Sequence, residues 1–332
     1  MKKLHRFAIV GAGAWGTALA LVASRAGRQA ILWAREHEVV ESILKKRENA
    51  AFLPGVKLDA KFAVTDEFHA ALEEVDAAIL CVPAQFLRAM LTEVARYIPR
   101  GATLVLAAKG IERESGALLS EAIADALPKH PLAILSGPTF AAEVANGQPT
   151  AVTLAARDRA VADAVAQALG GRTFRPYASD DPIGVEIGGA VKNVIAIACG
   201  IVVGRGLGEN ARAALLTRGL AEMTRLGAAK GAKAETFMGL SGLGDLALTC
   251  ASPQSRNMSL GVALGQGKAL SEILGARRSI AEGVTTAPAV VALAKRHGVE
   301  MPIAFAVDAV LHRGAAIDAT IDALLRRPLK AE

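Results

Sequence analysis

Aromatic residues are scarce in this sequence, and that scarcity disfavours one class of function. Phe, Trp and Tyr together make up only 4% of the 332 residues. Single-stranded nucleic acids bind to surfaces on which bases stack against aromatic rings, so we do not expect a nucleic-acid partner. The rest of the composition, with its surplus of Ala, Val, Leu and Gly, favours helices and close backbone packing over a β-sandwich.

Cysteine is scarce as well. Cys81, Cys199 and Cys250 are the three cysteines of the chain. They lie far apart, without the paired spacing of a zinc site, and an odd number leaves one thiol outside any set of disulfides. We therefore expect no metal site and a reducing, cytoplasmic environment.

Long uninterrupted apolar segments are missing too. The apolar stretch after Lys2 and Lys3 is short and runs directly into a glycine motif, so we do not expect a signal peptide. Residues 185–204 form the only window of membrane-spanning length, and Lys192 and Asn193 interrupt it. Because a lysine at the centre of a bilayer costs about 2.5–3.5 kcal/mol, we predict a buried helix and no membrane insertion.

Positive charge is present, but not as a long basic block. The formal net charge is +6, and the Lys and Arg residues are scattered along the chain. Scattered positive charge suggests anionic small molecules, phosphates in particular, as ligands rather than a polyanion.

Length and hydrophobic periodicity predict two domains. A chain of 332 residues with 52% hydrophobic residues is long enough for two cores. In the first half, short apolar runs alternate with helical patterns, which predicts an α/β domain with a doubly wound, Rossmann-like parallel sheet. Strands are predicted at residues 7–10, 30–33, 77–82, 103–108, 132–135 and 151–154 and near Phe174, with a helix at 158–169.

The strand pattern stops near Pro182. Beyond this proline, helices are predicted at residues 185–204, 210–231, 256–265, 286–297 and 303–312. We therefore predict a dinucleotide-binding Rossmann domain at residues 1–182. Residues 183–332 are predicted to form an all-α domain that binds the substrate and carries the catalysis.

A glycine-rich turn follows the first predicted strand. In the sequence GAGAWG, Gly11 makes the tight turn, Gly13 lets the backbone approach a pyrophosphate, and Gly16 allows close packing of the helix. Ala14 and Trp15 lie at the start of that helix, whose N-terminal N–H groups attract anions. We predict that this turn binds a dinucleotide. A purely structural turn is the alternative.

The end of the second predicted strand bears on the choice of cofactor. An acid at this point usually binds the ribose of NAD, but the sequence has Arg35 there, followed by Glu36. Arg35 can pair with a 2′-phosphate, which favours NADP(H). Glu36 is an acid next to this position, so NAD(H) remains an alternative cofactor. An ordinary surface arginine is the alternative for Arg35.

Ligands of open parallel sheets collect beyond the carboxyl ends of the strands. Lys109 follows one predicted strand, and Gly137 and Thr139 follow the next in the sequence SGPT. Lys109 can neutralise a substrate anion or polarise a carbonyl, and Gly137 and Thr139 can bind substrate. A surface lysine and an ordinary turn are the alternatives. Cys81, at the end of another strand, is expected to pack against the cofactor.

Lys192 indicates chemistry because of where it lies. Burying an ammonium costs several kcal/mol unless the group is paired, hydrogen-bonded or neutralised. A lysine inside an apolar helix is therefore either accommodated at a cost or retained because its altered proton affinity is useful. We favour the second interpretation.

Several motifs in order resemble one family. They are GAGAWGTALA at residues 11–20, AAKG with Lys109, SGPTFAAEVA at 136–145, VKNV with Lys192, GLSGLGDL with Asp245, and SRN at 255–257. Together they resemble the bacterial NAD(P)-dependent glycerol-3-phosphate dehydrogenases, from the first strand to about Pro302. This resemblance implies interconversion of dihydroxyacetone phosphate and sn-glycerol 3-phosphate in the cytoplasm, which supplies the backbone of phospholipids.

The resemblance also implies residue roles. Lys192 matches the acid/base lysine of the family. The implied substrate contacts are Lys109, Gly137, Thr139, Lys192, Asp245, Ser255, Arg256 and Asn257. The implied cofactor contacts, beside the glycine turn, are Trp15, Arg35, Lys109, Ala141, Arg256, Ile280 and Glu282.

Ketone reduction gives Lys192 and its neighbours distinct roles. Hydride addition requires a proton for the developing alkoxide, and the reverse reaction requires a base. Desolvation lowers the pKa of a lysine from its usual value of about 10.4, whereas a neighbouring carboxylate raises it. We expect Asp245 to orient Lys192 or to bind a substrate hydroxyl, and Asn193 to support the lysine by a hydrogen bond.

The sequence Ser255-Arg256-Asn257 begins a predicted helix just after Pro253. Arg256 and the N–H groups of the helix end can converge on the substrate phosphate. A plain N-cap with an exposed arginine is the alternative.

Two other functions remain open from the sequence. A reductase of another small hydroxy acid, such as a ketopantoate-type enzyme, would share the glycine turn, the helical domain and the lysine, but it need not share Ser255-Arg256-Asn257. A dinucleotide-sensing regulator would bind NAD(P)H without hydride transfer, and no basic helix-turn-helix is evident. The apolar surface of a helical domain is compatible with a homodimer.

Overall fold

An eight-stranded sheet forms the centre of the N-terminal part of the computed structural model, which describes residues 3–276 and 281–328. The strands lie in the order β3-β2-β1-β4-β5-β6-β7-β8, and every neighbouring pair is parallel except β6 and β7. Their bounds are Arg6–Val10 (β1), Gln29–Trp33 (β2), Ala63–Thr65 (β3), Ala77–Leu80 (β4), Thr103–Leu106 (β5), Leu132–Ser136 (β6), Thr150–Ala155 (β7) and Phe174–Ser179 (β8).

Helices cover both faces of this sheet, which is why its central strands are apolar throughout. In β1, Phe7 and Ile9 belong to one buried cluster, while Ala8 and Val10 belong to a second. The helices are Ala14–Arg25 (α1), His37–Lys46 (α2), Phe68–Leu72 (α3), Leu87–Val94 (α4), Leu119–Ala126 (α5), Ala141–Ala145 (α6) and Arg159–Leu169 (α7). The predicted Rossmann-like fold class is confirmed.

Three details of the sheet differ from the prediction. The strand β3 was not predicted, because it has only three residues and none of them is fully buried. The strands β4 and β5 end two residues earlier than the predicted ranges 77–82 and 103–108. The strand β7 runs antiparallel to β6, a direction that the pattern of apolar runs does not distinguish from a parallel one.

Contacts divide the chain into two units. The first unit contains the residues up to Lys109 together with Ala117–Glu186, and the second contains Gly110–Gly116 together with the residues from Ile187 onward. The sequence pattern does not predict that the segment Gly110–Gly116 belongs to the second unit. In the second unit, Arg296 donates a hydrogen bond to the carbonyl oxygen of Ser115 at 3.0 Å.

The C-terminal part is mainly helical, as predicted. Its helices are Pro182–Gly204 (α8), Gly208–Ala229 (α9), Asp245–Ala251 (α10), Arg256–Gly265 (α11), Leu270–Gly275 (α12), Glu282–Arg296 (α13), Pro302–His312 (α14) and Ile317–Leu325 (α15). The helices α10, α12 and α15 were not predicted. They are the shortest helices of this part, so they show the least periodicity.

The helix α8 is long and apolar enough to cross a membrane, but 89% of its most apolar window is buried inside the protein. At its start, the Asp181 carboxylate accepts a hydrogen bond from the Gly184 N–H at 2.9 Å, and Pro182 occupies the first helical position, where its missing N–H is tolerated. The structure therefore has the buried helix that the charged residue in its sequence predicts.

Two glycine pairs let α8 and α11 pack backbone to backbone. A Cβ added at Gly200 would lie 2.1 Å from the Met258 carbonyl oxygen, and one added at Gly261 would lie 2.1 Å from the Ile197 carbonyl oxygen. The next turn repeats the arrangement with Gly204 and Gly265. Side chains at these positions would push the helices apart, so the glycines set how closely α11 approaches α8.

Two buried carboxylates accept hydrogen bonds at helix N-termini. Glu222 of α9 accepts from the N–H groups of Ile303 (2.7 Å) and Ala304 (3.1 Å) at the start of α14. Glu186 accepts from the Ser120 N–H (3.0 Å) and hydroxyl (2.6 Å) at the start of α5. Burial raises the pKa of each group to about 7, although these hydrogen bonds oppose the rise.

The raised pKa of Glu222 predicts a pH-dependent stability. The folded-state pKa lies above the unfolded value of about 4.3, so the folded protein binds more protons between these values and its stability falls as the pH rises through about 7. We expect Glu222→Gln to reduce this fall by about 1–3 kcal/mol, measured by urea unfolding at about pH 5 and pH 8. The exposed Glu235 provides the control, Glu235→Gln, which should keep the wild-type slope. Equal slopes in all three proteins would contradict the assignment.

Candidate active site

The glycine turn between β1 and α1 has the geometry of an anion-binding site. Gly11 has φ 115°, and a Cβ there would lie 3.0 Å from the backbone of Cys81. A Cβ at Gly16 would lie 1.9 Å from the Gly11 carbonyl oxygen, whereas one at Gly13 would meet nothing within 4 Å. Gly11 and Gly16 are therefore required by packing, and Gly13 borders open space that a ligand can fill.

The start of α1 offers hydrogen-bond donors to such a ligand. Gly13 is the N-cap residue and makes no side-chain capping bond, so the first N–H groups of the helix, from Ala14 onward, have no partner within it. The Trp15 indole N–H is buried and has no hydrogen-bond partner in the described part of the chain. These donors, together with the space at Gly13, fit the pyrophosphate of a dinucleotide.

Arg35 lies two residues beyond the end of β2, where the sequence predicts the ribose of the cofactor. Its guanidinium donates to one oxygen of Glu36, from Nε at 3.1 Å and from Nη2 at 2.9 Å. The Arg35 side chain is 74% exposed, so it can reach a ligand. A 2′-phosphate would have to compete with Glu36 for the same guanidinium, which tempers the preference for NADP(H) that Arg35 alone suggests.

Three predicted substrate contacts lie together at the ends of β5 and β6. Lys109 Nζ donates to the Gly137 carbonyl oxygen at 3.1 Å, and the Thr139 hydroxyl donates to the same oxygen at 3.2 Å. Gly137 has φ 147°, and a Cβ there would lie 2.9 Å from Val152 Cα. Ala141 begins α6, which packs against α1.

In the second unit, Lys192 lies in a buried cluster with Asp245 and Thr249. Lys192 Nζ lies 2.5 Å from Asp245 Oδ1 and 2.9 Å from Thr249 Oγ1. Only 6% of Lys192, none of Asp245 and 5% of Thr249 is exposed. The Thr249 hydroxyl also lies 2.6 Å from the Asp245 carbonyl oxygen. The ammonium is thus paired and hydrogen-bonded, as a buried charge must be.

Glycine packing brings this cluster together. Gly188 lies one turn before Lys192 on the same face of α8, and a Cβ there would lie 2.5 Å from the Ser241 carbonyl oxygen. Ser241 belongs to a π-helical turn, Leu240–Gly244, that leads directly into α10 at Asp245. The close approach at Gly188 therefore places the first residue of α10 against Lys192.

Asn193 lies beside Lys192 in the sequence, but its side chain is bound elsewhere. Its Oδ1 accepts from Asn257 Nδ2 at 2.9 Å, and its Nδ2 donates to the Gly189 carbonyl oxygen at 3.4 Å. Asn257 Oδ1 in turn accepts from the Gly283 N–H at 2.9 Å. The expected hydrogen bond to Lys192 is replaced by one to α11, because successive residues of a helix point about 100° apart.

The helix α11 begins as the sequence predicts. Ser255 is its N-cap, and the Ser255 hydroxyl accepts from the Met258 N–H at 3.2 Å. Arg256 is accessible to solvent, yet protein around the guanidinium lowers its pKa by desolvation, and Glu282 opposes this. Arg256 stays cationic, because a guanidinium is not deprotonated in proteins. Glu282 begins α13, and the predicted contact Ile280 lies outside the described residues.

Cys199 and Cys250 are neighbours in the fold, although the sequence separates them widely. Both are buried free thiols. A hydrogen bond to Cys199 and burial together raise the pKa of Cys250. Because thiols that are buried in this way are unreactive, this pair contributes packing between α8 and α10 beside Lys192.

Thr249 belongs to this cluster, although it was not among the residues predicted from the sequence. It follows Asp245 by one helical turn, so both side chains lie on one face of α10. A spacing of four residues places two side chains on one face only if the segment is helical. Because α10 was not predicted, the spacing of Asp245 and Thr249 did not indicate a shared site.

The chain matches one protein family over both of its parts. Residues 6–162 match the N-terminal part of the NAD-dependent glycerol-3-phosphate dehydrogenases, and residues 181–322 match the C-terminal part. The chain belongs to this family. Membership confirms the resemblance that the motifs indicate, and with it the dependence on a nicotinamide dinucleotide.

Individual members of the family are similar over their whole length. The chain is 57% identical to glycerol-3-phosphate dehydrogenase [NAD(P)+] of Parvibaculum lavamentivorans, over 99% of this chain and 98% of that protein. It is 58% identical to the Rhodospirillum rubrum protein of the same name, over 99% of this chain and 94% of that protein. The crystal structure of glycerol-3-phosphate dehydrogenase from Coxiella burnetii has a TM-score of 0.94 and 41% identity, covering 98% of this chain and 99% of that one.

The buried ion pair predicts strong coupling between Lys192 and Asp245. Asp245→Asn leaves the Lys192 ammonium without the charge that balances it, so we expect the free energy of unfolding to fall by about 3 kcal/mol. The double variant Lys192→Met with Asp245→Asn should be more stable than the single Asp245→Asn variant. Glu41→Gln breaks the exposed pair with Lys45 and should change stability little. Additive effects in the double-mutant cycle, measured by urea unfolding, would contradict the coupling.

Proposed function

We propose that this protein reversibly transfers a hydride between NAD(P)H and dihydroxyacetone phosphate, giving sn-glycerol 3-phosphate. The observation that carries the proposal is the buried cluster of Lys192, Asp245 and Thr249. Replacing a buried ion pair by apolar residues is often neutral or stabilising, so we infer that Lys192 is kept for its chemistry and not for stability. The names of the full-length relatives supply the reaction, and the Lys192 cluster supplies a group that can transfer the proton.

In this proposal, Lys192 acts as the acid and base of the reaction. A bound nicotinamide supplies or accepts the hydride. Lys192 donates a proton to the carbonyl oxygen as the alkoxide develops, and it removes this proton in the reverse direction. Asp245 and Thr249 hold the ammonium in one orientation, and Asp245 stabilises its charged form.

We assign the two parts of the chain different tasks. Residues 1–182 bind the dinucleotide through the Gly11–Gly16 turn and Arg35, and residues 183–332 carry Lys192 and the phosphate-binding residues. Arg256, at the start of α11, pairs with the substrate phosphate, because a guanidinium and helix N-terminal N–H groups both favour an anion there. Lys109, Gly137 and Thr139 provide further substrate contacts at the sheet edge.

We also propose that the protein works in the cytoplasm, without membrane insertion, as a homodimer that supplies glycerophospholipid synthesis. The burial of α8 supports a water-soluble protein. Light scattering of the purified protein reports the oligomeric state, and recovery without detergent tests the absence of a membrane span.

Turnover with paired substrates tests the reaction itself. The wild-type protein should oxidise NADPH with dihydroxyacetone phosphate and react far more slowly with dihydroxyacetone, because the phosphate contacts contribute to transition-state binding. Lys192→Ala should reduce kcat by about 100-fold or more while leaving the Kd for NADPH within about twofold. Normal turnover by Lys192→Ala would reject the acid/base role, and equal rates with both ketones would reject the substrate.

Two arginine variants separate the substrate phosphate from the cofactor phosphate. Arg256→Ala should raise KM for dihydroxyacetone phosphate by roughly tenfold or more, since a charged hydrogen bond is lost. Arg35→Ala should lower the affinity for NADPH several-fold relative to the affinity for NADH, and it should leave the KM for dihydroxyacetone phosphate unchanged. The two variants serve as controls for each other. An Arg35→Ala protein with an unaltered ratio of NADPH to NADH affinity would remove Arg35 from the 2′-phosphate site.

A further inference from the structure

A buried asparagine outside the predicted site contacts the glycine turn directly. Asn49 is 1% exposed, and its Nδ2 donates to the Ala12 carbonyl oxygen at 2.8 Å and to Thr17 Oγ1 at 2.9 Å. Its Oδ1 accepts from the Phe52 N–H at 3.2 Å. Both amide hydrogens are thus used on the turn and on the first helical turn of α1.

Thr17 extends this contact to a second carbonyl of the turn. Thr17 is fully buried, and its hydroxyl donates to the Gly13 carbonyl oxygen at 3.0 Å while it accepts from Asn49. A hydroxyl has one proton to donate, so accepting from Asn49 leaves that proton for Gly13. The result is a chain of hydrogen bonds that ends on two successive carbonyls, those of Ala12 and Gly13.

Asn49 is held by a loop with its own packing. The loop follows α2 and begins at Arg47, which has φ 55°. The Asn49 carbonyl oxygen accepts from the Leu53 N–H at 2.8 Å. Leu53, Val56 and Leu58 are buried in the same hydrophobic cluster as β1 and α1. Asn49 is therefore a fixed support, because its backbone and its side chain are both constrained.

Holding these two carbonyls also sets the direction of two N–H groups. A trans peptide is planar, with its C=O and N–H pointing in opposite directions, and the described chain has no cis peptide. With the carbonyls of Ala12 and Gly13 turned toward Asn49 and Thr17, the N–H groups of Gly13 and Ala14 point the opposite way. That direction leads away from the loop that holds Asn49, and a Cβ added at Gly13 would meet nothing within 4 Å.

We propose that Asn49 is a positioning residue for cofactor binding, which acts through Thr17 and the turn carbonyls to aim the Gly13 and Ala14 N–H groups at the pyrophosphate. This inference rests on the proposed function of the Gly11–Gly16 turn. Asn49 touches no ligand in this role. The ligand class that depends on it is the diphosphate of a dinucleotide.

Binding and kinetics of two variants test this assignment. Asn49→Leu keeps the volume and removes the donors, and Thr17→Val keeps the shape of Thr17 and removes only the hydroxyl. We expect each variant to bind ADP-ribose and NADPH about tenfold or more weakly than the wild type, because hydrogen bonds that orient the turn are lost. Calorimetry measures the Kd values. KM for NADPH should rise in parallel. Both kcat at saturating NADPH and KM for dihydroxyacetone phosphate should stay within about twofold.

Controls separate positioning from loss of fold. Thr17→Ser restores a hydroxyl and should recover most of the affinity, and Asn146→Ala, at an exposed asparagine, should behave as wild type. If the wild-type protein binds both ligands and Thr17→Val and Asn49→Leu bind them equally well, the positioning role of Asn49 is overturned. The proposed cofactor site would stand in that case. A fall in kcat as large as the rise in KM would overturn the positioning role too. Failure of the wild-type protein to bind ADP-ribose and NADPH would reject the proposed cofactor site and this inference together.

Discussion

The burial of the Lys192 ammonium is the constraint that organises the helical part of this protein. An ammonium inside an apolar helix must be matched by a carboxylate and by further hydrogen bonds, and Asp245 and Thr249 provide them. To deliver Asp245, the chain uses a π-helical turn against Gly188. To bring α11 alongside, it uses glycines where the two helices meet. Close packing at Gly188 thus serves the charged side chain, whereas the packing at Gly200 and Gly204 positions α11.

The adjacent residue Asn193 shows how one helix can support two clusters. Lys192 faces α10, and Asn193 faces α11 and the start of α13 through Asn257. The acid/base candidate and the phosphate-binding candidate Arg256 are therefore placed by neighbouring positions of the same helix. In the other unit, the glycine turn is held in a comparable way. Its backbone presents donors outward because buried side chains hold its carbonyls inward.

The fold class follows from pattern with little ambiguity. Apolar runs that are too short for helices, repeated between helical segments, leave few alternatives to a parallel sheet covered on both faces. The glycine turn is also recognisable from the sequence. The structure gives the physical reason for its glycines, because a Cβ at Gly11 or Gly16 would clash with the backbone. Short strands and helices cannot be predicted from hydrophobic periodicity. The strand β3 and the helices α10, α12 and α15 have too few residues for a period to stand out, and the antiparallel pairing of β7 depends on how the chain returns after α6.

Sequence alone determined that Lys192 lies in a helix that must be buried and that a glycine turn typical of dinucleotide binding precedes it, and it predicted that several polar motifs belong to one chemistry. These conclusions depend on residue type and spacing, which are local. Only the tertiary structure decided that Thr249 completes the lysine cluster, that Asn193 bonds to Asn257 rather than to Lys192, and that Asn49 supports the turn. Each of these is a contact between segments distant in sequence, and its distance and direction depend on how the intervening chain packs.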